Sequence, residues 1–182
     1  MLEVRFHGRG GQGAVTSVEL CAVSAINEGK FAQGFPSFGP ERRGAPVMAF
    51  LRISGRPIKL RSKIYNPDVV VILDPGLVDV ANPVAGLKSG GIIVINSPKD
   101  HSEFKSLFSG FKVAIVDAYK IAREEMGVPI VNTTMLGAFI KATDVIKLKT
   151  IEGPVVERFG RIAQKNLNAL NRAYNETKIK EL

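Results

Sequence analysis

The stretch that decides the fold is Leu2-Glu3-Val4-Arg5-Phe6-His7-Gly8-Arg9-Gly10-Gly11-Gln12-Gly13. Apolar residues alternate over 2–6, which predicts a strand, and glycines crowd the next positions. From Ala14 the apolar residues Val15, Val18, Ala22, Ala25 and Ile26 recur at helical spacing, which predicts a helix over 14–28 closed by Gly29. A strand that runs through a glycine turn into a helix is an anion site in outline. Glycines allow the sharp turn and the close approach of a ligand to the main chain. The first helical N–H groups are unpaired and carry a partial positive charge, and phosphate is their usual guest. Gly8, Gly10 and Gly13 fit the spacing G-x-G-x-x-G. Many tight turns match that pattern by chance, so its weight comes from its place between strand and helix.

Downstream, the aliphatic runs at 69–73, 92–95 and 113–116 read as strands buried on both faces. Helical segments are predicted over 78–87, 102–108, 118–125, 135–142 and, as one long helix, 155–175. Strands alternating with helices predict an α/β fold: a single three-layer Rossmann-like domain over 1–182, with a mainly parallel sheet. Residues 31–46 are rich in Gly and Pro and read as a long shaped loop. The strand at 47–53 is then expected to turn at Gly55 into 57–60, adding a β-hairpin. The last few residues read as frayed.

The 182 residues suit one ordinary domain, and 45% apolar content can fill a core. No apolar run approaches the roughly 18 residues needed to cross a bilayer. The start of the chain lacks the pattern of a signal peptide. Cys21 is the sole cysteine, which excludes an internal disulfide and fits a reducing cytoplasm. It reads as core filler within the first helix. One Cys with His7 and His101 cannot form the usual zinc or iron–sulfur ligand sets. His7 reads as a packed strand-end residue and His101 as a surface or capping residue. With no paired carboxylates and no activated nucleophile, no catalytic residue and no metal ligand are assigned.

The net charge of +8, from 25 basic and 17 acidic residues, favours anionic partners. The densest basic sites are Arg42-Arg43 and the interval 56–63. The charge is too dispersed, and too poor in interleaved aromatics, for a nucleic-acid domain. Arg42 and Arg43 lie in Ser37-Phe38-Gly39-Pro40-Glu41-Arg42-Arg43-Gly44-Ala45-Pro46, where a restricted loop holds two guanidinium groups suited to gripping phosphate. A solvated surface pair is the alternative reading. Polar residues at strand ends, Asp74, Asn96, Asp117 and Asn132-Thr133-Thr134, read first as caps, with Asn132-Thr133-Thr134 also placed to face a ligand. An NAD(P) site would need an acidic residue closing the second strand about 20 residues on. Glu28 has about that offset but sits at a helix end.

Taken together, Gly8–Gly13 and residues 37–46, with Gln33-Gly34 and the segments 68–75 and 132–138, resemble the gamma subunits of the 2-oxoacid:ferredoxin oxidoreductase family. The likeness spans roughly residues 2–175 and is closer to the pyruvate and branched-chain types than to the 2-oxoglutarate type. It implies a non-catalytic subunit of an enzyme of the pyruvate synthase class (EC 1.2.7.1), which decarboxylates pyruvate oxidatively with coenzyme A to acetyl-CoA, carbon dioxide and reduced ferredoxin. It implies alpha and beta partner subunits holding thiamine diphosphate and Mg, and a delta subunit holding iron–sulfur clusters. It also implies a share of the coenzyme A site here: Gly8, Arg9, Gly10, Gly11, Gln12, Gly13, Arg42, Arg43 and Asn132 are the expected contacts. The alternatives are a stand-alone NAD(P)- or nucleotide-binding Rossmann protein and a purely structural subunit. A cytoplasmic location, with no membrane and no nucleic-acid partner, is expected.

Overall fold

A computed structural model describes residues 1–37 and 44–182. The elements run β1 (Leu2–Arg9), α1 (Ala14–Asn27), β2 (Phe31–Pro36), β3 (Pro46–Ser54), β4 (Val69–Ile72), α2 (Leu77–Ala81), β5 (Ile92–Asn96), β6 (Lys112–Val116), α3 (Ala118–Met126), α4 (Asn132–Thr143), α5 (Glu152–Phe159), α6 (Ala163–Glu176) and β7 (Lys178–Glu181). One seven-stranded sheet has the order β2-β3-β1-β4-β5-β6-β7. β1, β4, β5 and β6 are parallel neighbours. β3 runs antiparallel between β1 and β2, and β7 runs antiparallel to β6. The expected α/β sheet is therefore present, with antiparallel strands towards both edges.

β1 separates two environments by simple alternation. Val4 and Phe6 are fully buried in the core beneath α1 and α4, and Phe6 meets Phe139 edge to face at 5.5 Å. α4 is the central helix, and all its residues except Lys141 and Thr143 are buried. A Cβ on Gly137 would overlap the Leu170 carbonyl oxygen, so glycine lets α4 and α6 approach closely. On the opposite face Val70, Ile72, Ile93, Ile95, Val113 and Ile115 pack with Leu87 and the stacked rings of Phe104 and Phe108. That outer layer is thin: α2, a single 3-10 turn over His101–Phe104 and irregular chain.

Several sequence expectations are corrected. The first part of the predicted loop is β2, and its hairpin partner is β3; residues 57–60 form no strand. Phe31–Pro36 looks like loop because of Gly34, yet a Cβ there would lie 2.9 Å from the Val18 carbonyl oxygen. Glycine is thus what lets β2 lie against α1. The helix expected over 78–87 ends at Ala81, where Asn82 turns left-handed (φ 39°) and Pro83 follows. The segment 102–108 holds only the 3-10 turn. The long C-terminal helix is two, broken at Gly160 with φ 49°. The tail expected to fray is β7, paired along β6 from Lys112 to Ile115. His101 is buried, and its Nε2 lies 3.0 Å from the Val113 carbonyl oxygen.

Candidate functional site

The glycine turn joins β1 to α1 at the carboxyl end of the parallel strands, the usual ligand edge of such a sheet. The turn is braced from within. Arg9 N–H donates to Gln12 Oε1 at 2.7 Å, and Gln12 N–H returns a bond to the Arg9 carbonyl at 2.9 Å. Gln12 Nε2 donates to Asp74 Oδ2 at 3.0 Å and to the Tyr119 hydroxyl at 3.1 Å. Arg9 Nε pairs with the same Asp74 oxygen at 3.1 Å, while Gly76 N–H donates to Asp74 Oδ1 at 2.9 Å. Asp74 follows β4, so a carboxylate beyond one strand fixes the turn beyond its neighbour. Burial and the Asp74 carboxylate raise the Tyr119 pKa and keep its phenol protonated. A second tie runs to the far side, where Gly10 N–H donates to Ala45 O at 2.9 Å and Gly44 N–H to Gly10 O at 3.2 Å.

Gly11 (φ 92°) and Gly13 (φ 80°) hold the left-handed geometry that other residues resist. Beyond them α1 begins without a side-chain cap and without an acidic residue in its first turn. Its first N–H to close a helical bond is that of Ser17, to Gly13 O at 2.9 Å. Against Gly13 lies Asn132, the first residue of α4. A Cβ placed on Gly13 would meet Asn132 Nδ2 at 2.8 Å and its Cγ at 3.1 Å. α4 likewise starts with no side-chain cap and no acid in its first turn. Two helix N-termini, both positive and neither neutralised by a side chain of its own, therefore adjoin.

Asn132 is 5% exposed, and its Oδ1 has no hydrogen-bond partner among the described residues; nor has the buried Thr134 Oγ1. Such unpaired acceptors are uncommon. Asn132 also lines a cleft of about 130 Å³ with Met126, Val128, Ile130, Phe159 and Lys165 among its walls. The expected trio at 132–134 does not act as a cap or as a unit: all three residues are in the helix, and Thr133 Oγ1 is spent on Asn166 Oδ1 at 2.7 Å. Asn96 is structural. Its amide spans from the Leu73 carbonyl (2.9 Å) to the Ala118 N–H (3.0 Å). Asp117 caps α3 through Lys120 N–H at 3.0 Å.

His7 is buried on the Arg5 and Arg9 side of β1, with Nε2 unpartnered among the described residues. Burial, reinforced by the Arg5 charge, lowers its pKa from 6.5 to about 3, so the ring is neutral. Sequence reasoning placed it as packing and missed this electrostatic isolation. Cys21 is buried, and burial pushes its thiol pKa up, away from nucleophilic use. Among the described residues no three His, Cys, Asp or Glu side chains gather into a metal-holding group. Among the described residues no helix is long and apolar enough to cross a membrane. The dinucleotide pattern also lacks its partner: the strand after α1 is separated from β1 by β3, and the carboxylate beside the turn, Asp74, is already engaged.

Residues 3–176 match the family described as pyruvate ferredoxin/flavodoxin oxidoreductase. The chain belongs to this family. It is 50% identical over 185 residues to the common gamma subunit of the pyruvate/ketoisovalerate oxidoreductases of Thermococcus kodakarensis, covering 100% of both chains. The crystal structure of pyruvate oxidoreductase subunit PORC (EC 1.2.7.1) from Thermotoga maritima superposes with a TM-score of 0.87 at 38% identity, covering 99% of this chain and 98% of that one. The 2-oxoglutarate:ferredoxin oxidoreductase of Magnetococcus marinus, solved with 2-oxoglutarate, coenzyme A and succinyl-CoA bound, shares the fold alone: TM-score 0.79, 21% identity, 96% of this chain and 30% of that one. The chain is thus a gamma subunit of a 2-oxoacid:ferredoxin oxidoreductase, one subunit of an enzyme that works with others. In this gamma subunit Gly8, Gly10, Gly11, Gly13 and Asn132 come together at the turn. Arg9 and Gln12 point their polar groups into its bracing, and Arg42 and Arg43 lie outside the described residues.

Proposed function

We propose that this gamma subunit holds coenzyme A for the oxidative decarboxylation of pyruvate or a related 2-oxoacid, and that it does no bond-making itself. The observation that carries this reading is the meeting of Gly13 and Asn132: two helix N-termini without side-chain caps beside a buried amide oxygen that has no donor among the described residues. The chemistry of that place fits coenzyme A. A phosphate suits the glycine turn, where an added Cβ on Gly11 would meet nothing within 4 Å among the described residues. An N–H of the ligand suits Asn132 Oδ1, with the adjoining apolar cleft beside it. Arg42 and Arg43 supply further phosphate contacts in this reading, while Arg9 and Gln12 keep the turn in shape. The fold is shared with a protein that binds coenzyme A, which agrees with the assignment.

The subunit's contribution is positional. Anchoring the phosphate end meets in advance part of the entropy cost of bringing the thiol to the point of acyl transfer. Thiamine diphosphate, Mg and iron–sulfur clusters belong, in this reading, to alpha, beta and delta subunits, which supply the decarboxylation and pass electrons to ferredoxin. In this reading the choice of oxoacid also belongs to those partners, which agrees with the likeness to a gamma chain common to pyruvate and ketoisovalerate enzymes.

Asn132→Asp in the assembled oxidoreductase tests the site. The change is isosteric, and a carboxylate next to two helix N-termini is tolerated by the fold. It repels an anionic ligand and should raise the KM for coenzyme A roughly tenfold, equivalent to about 1.4 kcal/mol. Decarboxylation measured without coenzyme A should keep its rate. Normal coenzyme A kinetics in this variant and in the Arg42→Ala, Arg43→Ala double variant would leave these residues a purely structural role.

A further inference from the structure

β2 forms one edge of the sheet, and among the described residues no strand pairs with its outer side. The register tells which groups face outward. Ser37 N–H donates to the Met48 carbonyl at 2.8 Å, so Phe35–Phe50, Gln33–Arg52 and Phe31–Ser54, each two residues further along, are the hydrogen-bonded pairs of the ladder. Ala32 and Gly34 therefore direct both N–H and C=O away from β3, joined by the carbonyl of Pro36. Gly34 is exposed even though its Cα lies against α1, so what it presents is backbone. A groove of about 470 Å³ follows this edge, bounded by Ala32–Phe35 on one side and by Leu60 and Arg61 on the other.

Sheet edges in soluble proteins are commonly guarded by short length and charge. The opposite edge obeys this rule, since β7 is the four-residue strand Lys-Ile-Lys-Glu. β2 reads Phe-Ala-Gln-Gly-Phe-Pro, with no charged side chain and with Phe31 exposed. The charge stands alongside instead. Arg56, Lys59, Arg61 and Lys63 are all exposed, and the segment from Gly55 to Pro67 contains no acidic residue. This is the basic interval that the phosphate site leaves unused.

We infer that β2 accepts an extended acidic segment of another subunit as an added strand. The ladder would be supplied by Ala32, Gly34 and Pro36, one apolar side chain would meet Leu60, and carboxylates would meet Lys59 and Arg61. Charge argues against a second copy of this chain, because self-pairing of β2 would bring two such basic segments together on chains of net charge +8. The inference rests on the chain's being a subunit of a larger enzyme and is independent of coenzyme A binding.

Hydrogen exchange of the peptide containing residues 31–37, in the assembled complex and in the isolated full chain, tests it. The Ala32 and Gly34 amides should exchange at least about tenfold more slowly in the complex. Ala32→Pro deletes one outward N–H without touching a bond to β3, and Lys59→Glu with Arg61→Glu reverses the flanking charge. Each should reduce the yield of complex from limiting mixtures while the isolated chain keeps its melting temperature. If Ala32→Pro disturbs folding, the charge-reversed chain and the exchange rates decide. Equal exchange in complex and isolated chain overturns the inference. So does protection that grows with concentration in the isolated chain, which would assign the edge to a second copy.

Discussion

Gly13 and Asn132 touch so closely that a single added carbon on Gly13 would lie 2.8 Å from the Asn132 amide nitrogen. The end of the glycine turn and the start of the central helix are thereby one packing unit. Gly13→Ala should lower stability by about 2–4 kcal/mol in urea unfolding, combining left-handed strain with overlap. Gly11→Ala isolates the first term. Its φ of 92° is similar, but among the described residues nothing lies within 4 Å of the added carbon, so the loss should be near 1–2 kcal/mol. Equal losses at both positions would contradict the contact.

Asp74 receives bonds from Arg9, Gln12 and Gly76. Asp74→Ala should cost about 1–3 kcal/mol and loosen the turn. A double-mutant cycle with Gln12→Ala, read by thermal or urea unfolding, should show a coupling above about 0.5 kcal/mol. Strict additivity would mean that the two side chains do not share one network.

His7 makes stability depend on pH. Its folded pKa is about 3 against an ordinary 6.5, so between these values the unfolded chain binds a proton that the folded chain refuses. Stability from this group is intact above pH 6.5 and falls as the pH drops towards 3, by at most about 1.4 kcal/mol per pH unit. Urea unfolding of the wild type and His7→Gln at pH 7 and pH 5 checks it. The variant should lose less stability on acidification than the wild type.

Glu3 pairs with Arg52 at 2.9 Å, and the Arg52 side chain is only 1% exposed. The guanidinium also lies over the Phe35 ring at 5.6 Å. Glu3→Ala leaves that charge buried without its partner and should cost about 3–5 kcal/mol, whereas Glu3→Ala with Arg52→Met should recover much of the loss. Denaturant midpoints of the two variants give the comparison.

The parts of the fold that sequence made legible are those in which one local pattern governs. The aliphatic runs of β4, β5 and β6 and the first strand–turn–helix stand where composition and spacing put them. β2 was hidden because Gly34 and Pro36 signal a loop, while the reason for Gly34 is the Val18 carbonyl, a contact invisible along the chain. β7 was hidden because its pairing with β6 is long-range and its alternation of Lys and Ile resembles a solvated tail. Glycine spacing marked the turn and Asn132 was named as a ligand contact, but its packing against Gly13 is a long-range contact that spacing does not show. What spacing could not tell is that Arg9 and Gln12 spend their polar groups on Asp74, on the turn's own backbone, on the Gly44 carbonyl and on Tyr119. That arrangement depends on β4 lying next to β1, a fact of topology.

The antiparallel pairing of β7 with β6 has a consequence for synthesis. β6 is made of Lys-Val-Ala-Ile-Val, and until residues 178–181 have emerged its far edge is an apolar strand with open backbone groups. A nascent chain that already holds α1 to α6 still carries an adhesive border along β6. The β6 edge is covered only when the ribosome has delivered the short charged strand that pairs with it, so slow translation of the final turn of α6 would prolong exposure to aggregation, and rapid completion would shorten it.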